Sequence, residues 1–201
     1  MDNFAPDNLL APEAENRLPL QNFFFELFKV LVFWAVAVVI IRFFIFKPFV
    51  VKGASMEPNF HEKEYLIIDE LTYRFAAPHR GDIIVLRSHA TDDRDFFLKR
   101  IIGLPGDRVQ IVNNRVKIYD STHVDGFYLG ETDYLQQSVI TSGDTDVTLG
   151  SDEFFVLGDN RGASLDSRRI GPIQRKDVVG RVLLRGWPLN RIDYLVKDYY
   201  K

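Results

Sequence analysis

The chain has no cysteine. That removes a disulfide framework, a thiolate metal centre and a cysteine nucleophile, and leaves the compartment open. It also lacks a dominant charge: a formal net of −3 at pH 7 over 201 residues offers no basic surface, so no nucleic-acid partner is expected. There is neither an internal repeat nor a low-complexity tract, and the first residues are too polar for a signal peptide. What is present is a 46% share of hydrophobic residues, enough for one moderate domain with a proper core plus an appendage. Phenylalanine is abundant, seventeen in all, and it crowds residues 23–49. Such crowding suggests a membrane neighbour.

Residues 1–26 carry Asp2, Asp7, Glu13, Glu15 and Glu26 against Arg17 alone, with prolines and little periodicity. They read as a mobile acidic tail. Residues 27–47 read as a single transmembrane helix. From Val30 to Ile41 the chain has no charge, Arg42 interrupts, and Phe43-Phe44-Ile45-Phe46 follows; Lys29 and Lys47 bracket the segment. As helix the bracketed stretch rises about 25 Å, slightly under the ~30 Å hydrocarbon core, so the flanking lysines must snorkel. A buried core helix is the competing reading, but a segment apolar on every face has no stripe to turn to water. Arg42, Lys47 and Lys52 follow the span while acids precede it, which by the charge rule turns the C-terminal part toward the cytoplasm.

From residue 48 to 201 the pattern is that of a β-rich domain. Tyr65 to Asp69, Ile83 to Arg87, Phe96 to Ile102, Val109 to Val112, Val116 to Tyr119, Phe154 to Leu157 and Val178 to Leu184 are short β-branched or aromatic runs. Gly, Pro, Asn and Asp separate them. Asn113-Asn114 between two alternating runs signals a tight hairpin. Residues 120–148, rich in Thr, Ser, Asp and Gly, read as a variable excursion or a weak extra hairpin.

Ahead of the strands lies Gly53-Ala54-Ser55-Met56-Glu57-Pro58, a small-residue turn carrying one serine. A serine hydroxyl is a weak nucleophile unless a base takes its proton. His61, His79, His89 and His123 come with no orienting carboxylate motif and read as solvated surface residues. Lys99 is the other candidate, because strand alternation places it on one face with Phe97 and Ile101, while Arg100 shares the opposite face with Leu98 and Ile102. A lysine with an ordinary pKa near 10.4 is neutral only about 0.04% of the time at pH 7. An apolar strand face can lower that pKa by several units. An edge lysine with its head in water is the bland alternative. The acids Asp92, Asp93 and Asp95 match no cation-binding loop and read as a solvated turn; no metal site is expected.

The blocks occur in a telling order: Ser55-Met56-Glu57-Pro58, Gly81-Asp82-Ile83-Ile84-Val85, Leu98-Lys99-Arg100-Ile101-Ile102-Gly103-Leu104-Pro105-Gly106-Asp107, then Phe155-Val156-Leu157-Gly158-Asp159-Asn160-Arg161 and Ser164-Leu165-Asp166-Ser167-Arg168. In this order they closely resemble the type I signal peptidases, membrane-anchored Ser-Lys endopeptidases, over roughly residues 30–185. The resemblance implies a mainly β fold: an antiparallel β-sheet catalytic domain behind one N-terminal transmembrane helix. It implies Ser55 as nucleophile and Lys99 as general base, with Ser164 hydrogen-bonding the lysine. Asp166 and Arg168 would form an ion pair beside the site, Arg100 would follow the base, and the Gly158-Asp159-Asn160-Arg161 turn would pack behind Lys99.

By the same resemblance Phe49, Val51, Gly53, Met56, Phe60, Phe97 and Leu98 border the substrate. The family's second oxyanion donor, a serine in some members, is replaced here by Gly53, and Gly162-Ala163 departs from the usual Asp-Asn. The implied partners are signal peptides with Ala-x-Ala cleavage sites and the lipid bilayer, with no cofactor. The implied location is the cell membrane, single-pass, with the catalytic domain on the extracytoplasmic side. Two rivals are another Ser-Lys protease of the self-cleaving repressor type, and a membrane-anchored β module that binds peptides without cutting.

Overall fold

The computed structural model describes residues 20–44, 46–88 and 96–196. Most of the acidic tail and the cluster Asp92, Asp93 and Asp95 lie outside the described residues. The chain divides into two compact units, one up to Ile40 and one from Ile41 onward.

The first unit is dominated by helix α1, Leu20–Phe44. It starts earlier than the expected 27–47 because Phe23 to Phe28 continue the helix-compatible run. At 1.5 Å per residue, 25 residues extend about 37 Å. Within it Asn22–Val39 is long and apolar enough to cross a membrane, and none of that window is buried by the protein. Phe23, Phe28, Leu31, Phe33, Trp34 and Val38 are all more than half exposed.

The second unit is antiparallel throughout. Its strands are β1 Phe46–Val50, β2 Tyr65–Asp69, β3 Ile83–Arg87, β4 Phe96–Gly103, β5 Arg108–Val112, β6 Arg115–Tyr119, β7 Phe127–Tyr128, β8 Thr145–Thr148, β9 Glu153–Leu157, β10 Ile173–Gln174, β11 Val178–Trp187 and β12 Asp193–Tyr194. One short helix, α2, covers Ser167–Ile170. A large sheet runs β1-β2-β11-β3-β4-β9-β10 with β12 added beside β11, and a small sheet runs β7-β6-β5-β8. The mainly β reading of the sequence is what the chain adopts.

Strand β3 reads Ile83-Ile84-Val85-Leu86 without alternation because both faces of the large sheet are covered. Ile83 and Val85 join Val51, Met56, Phe60, Leu66, Leu98 and Val182 in one apolar cluster. Ile84 and Leu86 join Ile101, Phe154, Val156 and Ile173 in another. Strand β4 pairs Ile84 with Lys99 and Ile83 with Arg100 on one side, and Arg100 with Leu157 on the other. The two cations are thus carried into the middle of the sheet, side by side and on opposite faces.

At Gly103 the chain leaves the large sheet for the small one. A side chain there would meet the Val109 methyl at 2.6 Å and Leu149 at 2.8 Å, so only glycine allows the two sheets to close on each other. The small sheet builds on a β5–β6 hairpin whose Asn113 and Asn114 sit at φ 53° and 60°. Asparagine tolerates this left-handed pair, as the hairpin signal required. The excursion at 120–148 is not all irregular: β7 pairs with β6 and β8 with β5, completing a core of Ile102, Val109, Val116, Ile118, Leu129, Leu149 and Phe155. The turns between β7 and β8 remain, and they matter below.

Candidate active site

Ser55 lies in a half-buried turn between β1 and β2. The turn is closed by Glu57 N–H on the Ala54 carbonyl at 3.2 Å and Phe60 N–H on the Met56 carbonyl at 2.9 Å. Met56 and Phe60 plunge into the core cluster and anchor it. A second chain segment grips the turn from outside. Asn160 uses its backbone N–H on the Ser55 carbonyl and its side-chain amide on the Ala54 carbonyl, each at 3.0 Å. Both acceptors flanking the serine are therefore fixed by one residue. The Ser55 N–H itself has no acceptor among the described residues.

Lys99 Nζ donates to Ser55 Oγ at 2.9 Å and to the Leu98 carbonyl at 3.0 Å. It is 3% exposed, with the Phe97 ring 5.0 Å from the nitrogen. Burial disfavours the ammonium and pushes the Lys99 pKa down to about 8, against the opposing pull of the Asp166 and Asp159 carboxylates. At pH 7 a pKa of about 8 leaves roughly one lysine in ten neutral, against a few in ten thousand for an ordinary lysine.

Behind the pair is a layer of buried charge. Arg100 donates Nε to Asp159 Oδ1 at 2.9 Å and Nη2 to Oδ2 at 2.7 Å, a two-pronged pair with side chains 1% and 0% exposed. Asn59 donates to the same carboxylate at 2.7 Å. Asp166 caps α2 and holds Arg168 through Nε and Nη2, each at 2.8 Å, while accepting the Gly158 N–H at 3.1 Å. Burial works to raise the Asp166 pKa, but these donors outweigh it and hold the carboxyl below its ordinary value.

Gly158 is where the layers touch. A Cβ there would overlap both the Ser164 hydroxyl and the Ser55 carbonyl oxygen. The Ser164 hydroxyl is buried and interacts with the Asp166 carboxylate, yet its geometry falls short of a hydrogen bond. The Ser164–Lys99 hydrogen bond implied by the resemblance is not made here: Lys99 Nζ bonds Ser55 Oγ and the Leu98 carbonyl, and the Ser164 hydroxyl has no hydrogen-bond partner among the described residues.

Of the substrate-bordering candidates, Val51, Met56 and Leu98 are buried in the core cluster beneath the turn, with Phe60 beside them. Phe49 packs on that cluster half-buried, and Phe97 lies half-buried on the opposite cluster. Gly53 is exposed, at φ 77°, with open space around it. His61 is exposed and its nearest charged neighbour is Glu57 at 3.8 Å. No group of His, Asp and Glu among the described residues could hold a metal ion.

A serine in a half-buried turn, hydrogen-bonded to a buried amine in the middle of an antiparallel sheet, is an arrangement that a serine nucleophile with an amine base could use. The comparisons narrow the class. Residues 24–187 match the model of the family described as signal peptidase, peptidase S26. A probable signal peptidase I-2 of Synechocystis sp. is 34% identical over 184 residues, covering 90% of this chain and 81% of that protein. Signal peptidase I U of Bacillus subtilis is 36% identical over 155 residues, covering 76% of this chain and 81% of that protein. A solved signal peptidase I from Enterococcus faecalis superposes on 53% of this chain and 97% of its own, at 28% identity and a TM-score of 0.42. The chain belongs to the signal peptidase S26 family of serine peptidases, whose reaction is the removal of signal peptides.

From sequence, Asp159, Asn160 and Arg161 are expected only as part of a turn packed behind Lys99, and nothing singles out Asn59 or Tyr134. A buried Arg100 demands a carboxylate, which was the available signal for Asp159. Asn160 and Asn59 act through backbone carbonyls, which no side-chain pattern announces.

Proposed function

We propose that the protein is a membrane-anchored endopeptidase that cuts signal peptides from exported preproteins with Ser55 as nucleophile and Lys99 as general base. The observation carrying this reading is the 2.9 Å contact between Lys99 Nζ and Ser55 Oγ, with the amine held near a pKa of about 8. Ser55 Oγ attacks the scissile carbonyl carbon as neutral Lys99 takes the hydroxyl proton. The resulting oxyanion is met by the Ser55 N–H. Collapse of the tetrahedral species breaks the peptide bond, and Lys99 hands its proton to the departing amine. The acyl-enzyme remains. A water then gives its proton to Lys99 and adds to the ester, and reversal of the same transfers frees Ser55.

Ser164, Asp166, Arg168 and Arg100 support the pair: Asp166 and Asp159 temper the lysine, while Arg168 pairs with Asp166 and Arg100 with Asp159. An extended substrate pairs with strand edges near the turn, and Phe49, Val51, Gly53, Met56, Phe97 and Leu98 form its apolar bed. A bed that admits only small side chains would favour Ala-x-Ala sites. Helix α1 crosses the cell membrane once, and the β domain lies on the extracytoplasmic side, where exported chains present the cut. Arg42, Lys47 and Lys52 vote the other way by charge; the need for enzyme and cleavage site to share a side outweighs three cations.

The test is cleavage of an Ala-x-Ala preprotein in detergent or lipid by the wild type, Ser55→Ala and Lys99→Ala, with the product N-terminus sequenced. Cutting after the second alanine by the wild type alone, losing about 10³-fold or more in either variant, supports the reading. Near-full activity in Lys99→Ala moves the base elsewhere, with His61 first in line. Binding without cutting by the wild type points to a peptide-binding module.

A further inference from the structure

The turns of the excursion, between β7 and β8, reach back to the site through Glu131, Tyr134, Thr141 and Ser142. Tyr134 is 7% exposed, and its ring lies over the Arg100 guanidinium with 3.9 Å between the guanidinium carbon and the ring centre. Its backbone carbonyl accepts the Asn59 side-chain amide at 2.8 Å, and that same amide also bonds Asp159 at 2.7 Å. Its hydroxyl donates to Glu131 Oε1 at 2.7 Å. Glu131 in turn accepts from both Nη atoms of Arg161, whose Nη1 also bonds Thr141 and whose Nε bonds the Gly158 carbonyl at 3.1 Å. The contacts form a closed circuit: Tyr134, Glu131, Arg161, Gly158 with Asp159, Arg100, and Tyr134 again. Asn160, which holds the two carbonyls flanking Ser55, sits inside that circuit.

We propose that Tyr134 is a positioning residue of the peptidase, setting the distance between Ser55 and Lys99 by clamping Arg100 and Asn59 against the Gly158-to-Arg161 turn. Lys99 and Arg100 are consecutive in β4, so a guanidinium held flat between Asp159 and the Tyr134 ring fixes the backbone from which the lysine reaches. Asn59, fixed by the Tyr134 carbonyl, locks the far end of the turn that carries Ser55. One aromatic residue from the excursion therefore restrains both members of the pair. A flat guanidinium against a ring face is attractive in its own right and more so away from water. Relative displacements of about 1 Å between reacting groups can cost on the order of 100-fold in rate.

This inference rests on the proposed Ser55–Lys99 chemistry, and the experiment separates the two. Steady-state cleavage of an Ala-x-Ala preprotein by the full chain in detergent is measured for the wild type, Tyr134→Leu, Tyr134→Phe, Arg100→Lys, and Arg100→Lys combined with Tyr134→Leu. Tyr134→Leu is expected to lower kcat about 10- to 100-fold with KM within about twofold, while Tyr134→Phe, which keeps the ring, stays within about threefold of the wild type. The combined variant should lose less than the product of the two single losses, since both act through the same guanidinium. Because Tyr134→Leu can also loosen the fold, the Arg100→Lys cycle is read at a temperature where every variant melts well above the assay. A wild-type kcat in Tyr134→Leu, a loss that phenylalanine does not rescue, or fully multiplicative losses in the cycle would each overturn the clamp while leaving the peptidase reading intact. A wild type that cuts nothing overturns that reading and the clamp with it.

Discussion

In the large sheet Arg100 and Asp159 form an ion pair with side chains 1% and 0% exposed; in the small sheet Arg108 and Asp146 meet at 2.5 Å with 46% and 47% of theirs in water. Both pairs are two-pronged. Their surroundings make them different interactions. The small sheet packs an apolar cluster and holds Arg108 and Asp146 on its outside, where water and salt screen them. The large sheet takes Lys99, Arg100, Asp159, Arg161 and Asp166 into its interior, each desolvated and each answered by a directed hydrogen bond. A buried ion pair is a poor source of stability compared with apolar packing of the same volume. What it supplies is a geometry that tolerates few alternatives, and that is useful where a hydroxyl and an amine must stay within 3 Å.

The contrast breaks most sharply at Asp159. Asp159→Ala leaves Arg100 buried without its carboxylate and should cost about 3–5 kcal/mol of stability. Asn59 loses an acceptor in the same stroke. Thermal unfolding should fall by many degrees and peptidase activity should vanish. A variant that melts within a degree or two of the wild type would show that the pair carries little of the structure.

Gly158→Ala comes next, and it separates geometry from charge. The added methyl changes no charge but overlaps Ser164 Oγ and the Ser55 carbonyl. Overpacking of this kind costs roughly 1–3 kcal/mol. Activity should suffer more, by about 100-fold, because the carbonyl that must shift belongs to the proposed nucleophile. Equal losses in a scan of both properties would make Gly158 a folding residue only.

The interior carboxylates also tune the lysine, which gives a gentler test. As the proposed base Lys99 would have to be neutral to act, and its folded pKa of about 8 lies below its ordinary value. kcat/KM should therefore rise about tenfold per pH unit from pH 6 and level off above about pH 8. Asp166 is the first of the two carboxylates holding that pKa up. Asp166→Asn keeps the shape and removes the charge, so the rising limb should move to lower pH. A limb that stays in place, or moves up, assigns the titration to another group.

How much of this could be read beforehand follows the same divide. Strands β2, β3, β4, β5, β6, β9 and β11 were visible as apolar runs within one to three residues of their ends, because core burial writes itself as side-chain periodicity. Strand β1 was hidden: Phe46 to Val50 continues the apolar run of the preceding helix, and a sequence window does not see its pairing with β2. Strands β7, β8, β10 and β12 are two to four residues long and exist because a neighbour holds them. Within the site, Ser55, Lys99, Arg100, Asp166 and Arg168 were nameable from their motifs. Tyr134 and Asn59 were not, since their contribution is a ring face and a carbonyl contact across 75 residues of chain.

The smallest effect should come from the exposed pair, and it is the one that makes the comparison quantitative. Asp146 accepts from Arg108 Nε and Nη2 and from Gln110 Nε2, at 2.5 to 2.7 Å. The Arg108 hydrogen bonds, then that of Gln110, pull its pKa down from 3.8 to about 2. A depressed carboxylate pKa means that any stabilisation is present above the ordinary value near 4 and is lost as pH falls toward 2. By bond count this cluster rivals Arg100 and Asp159. Yet Asp146 and Arg108 stand in water, so breaking the pair strands no buried charge. Asp146→Ala should leave cleavage unchanged at pH 7 and shift the melting temperature by no more than the error of a thermal scan, with the shift shrinking further in 1 M salt. A drop approaching that of Asp159→Ala would mean that hydrogen-bond geometry, and not desolvation, sets the worth of ion pairs in this fold.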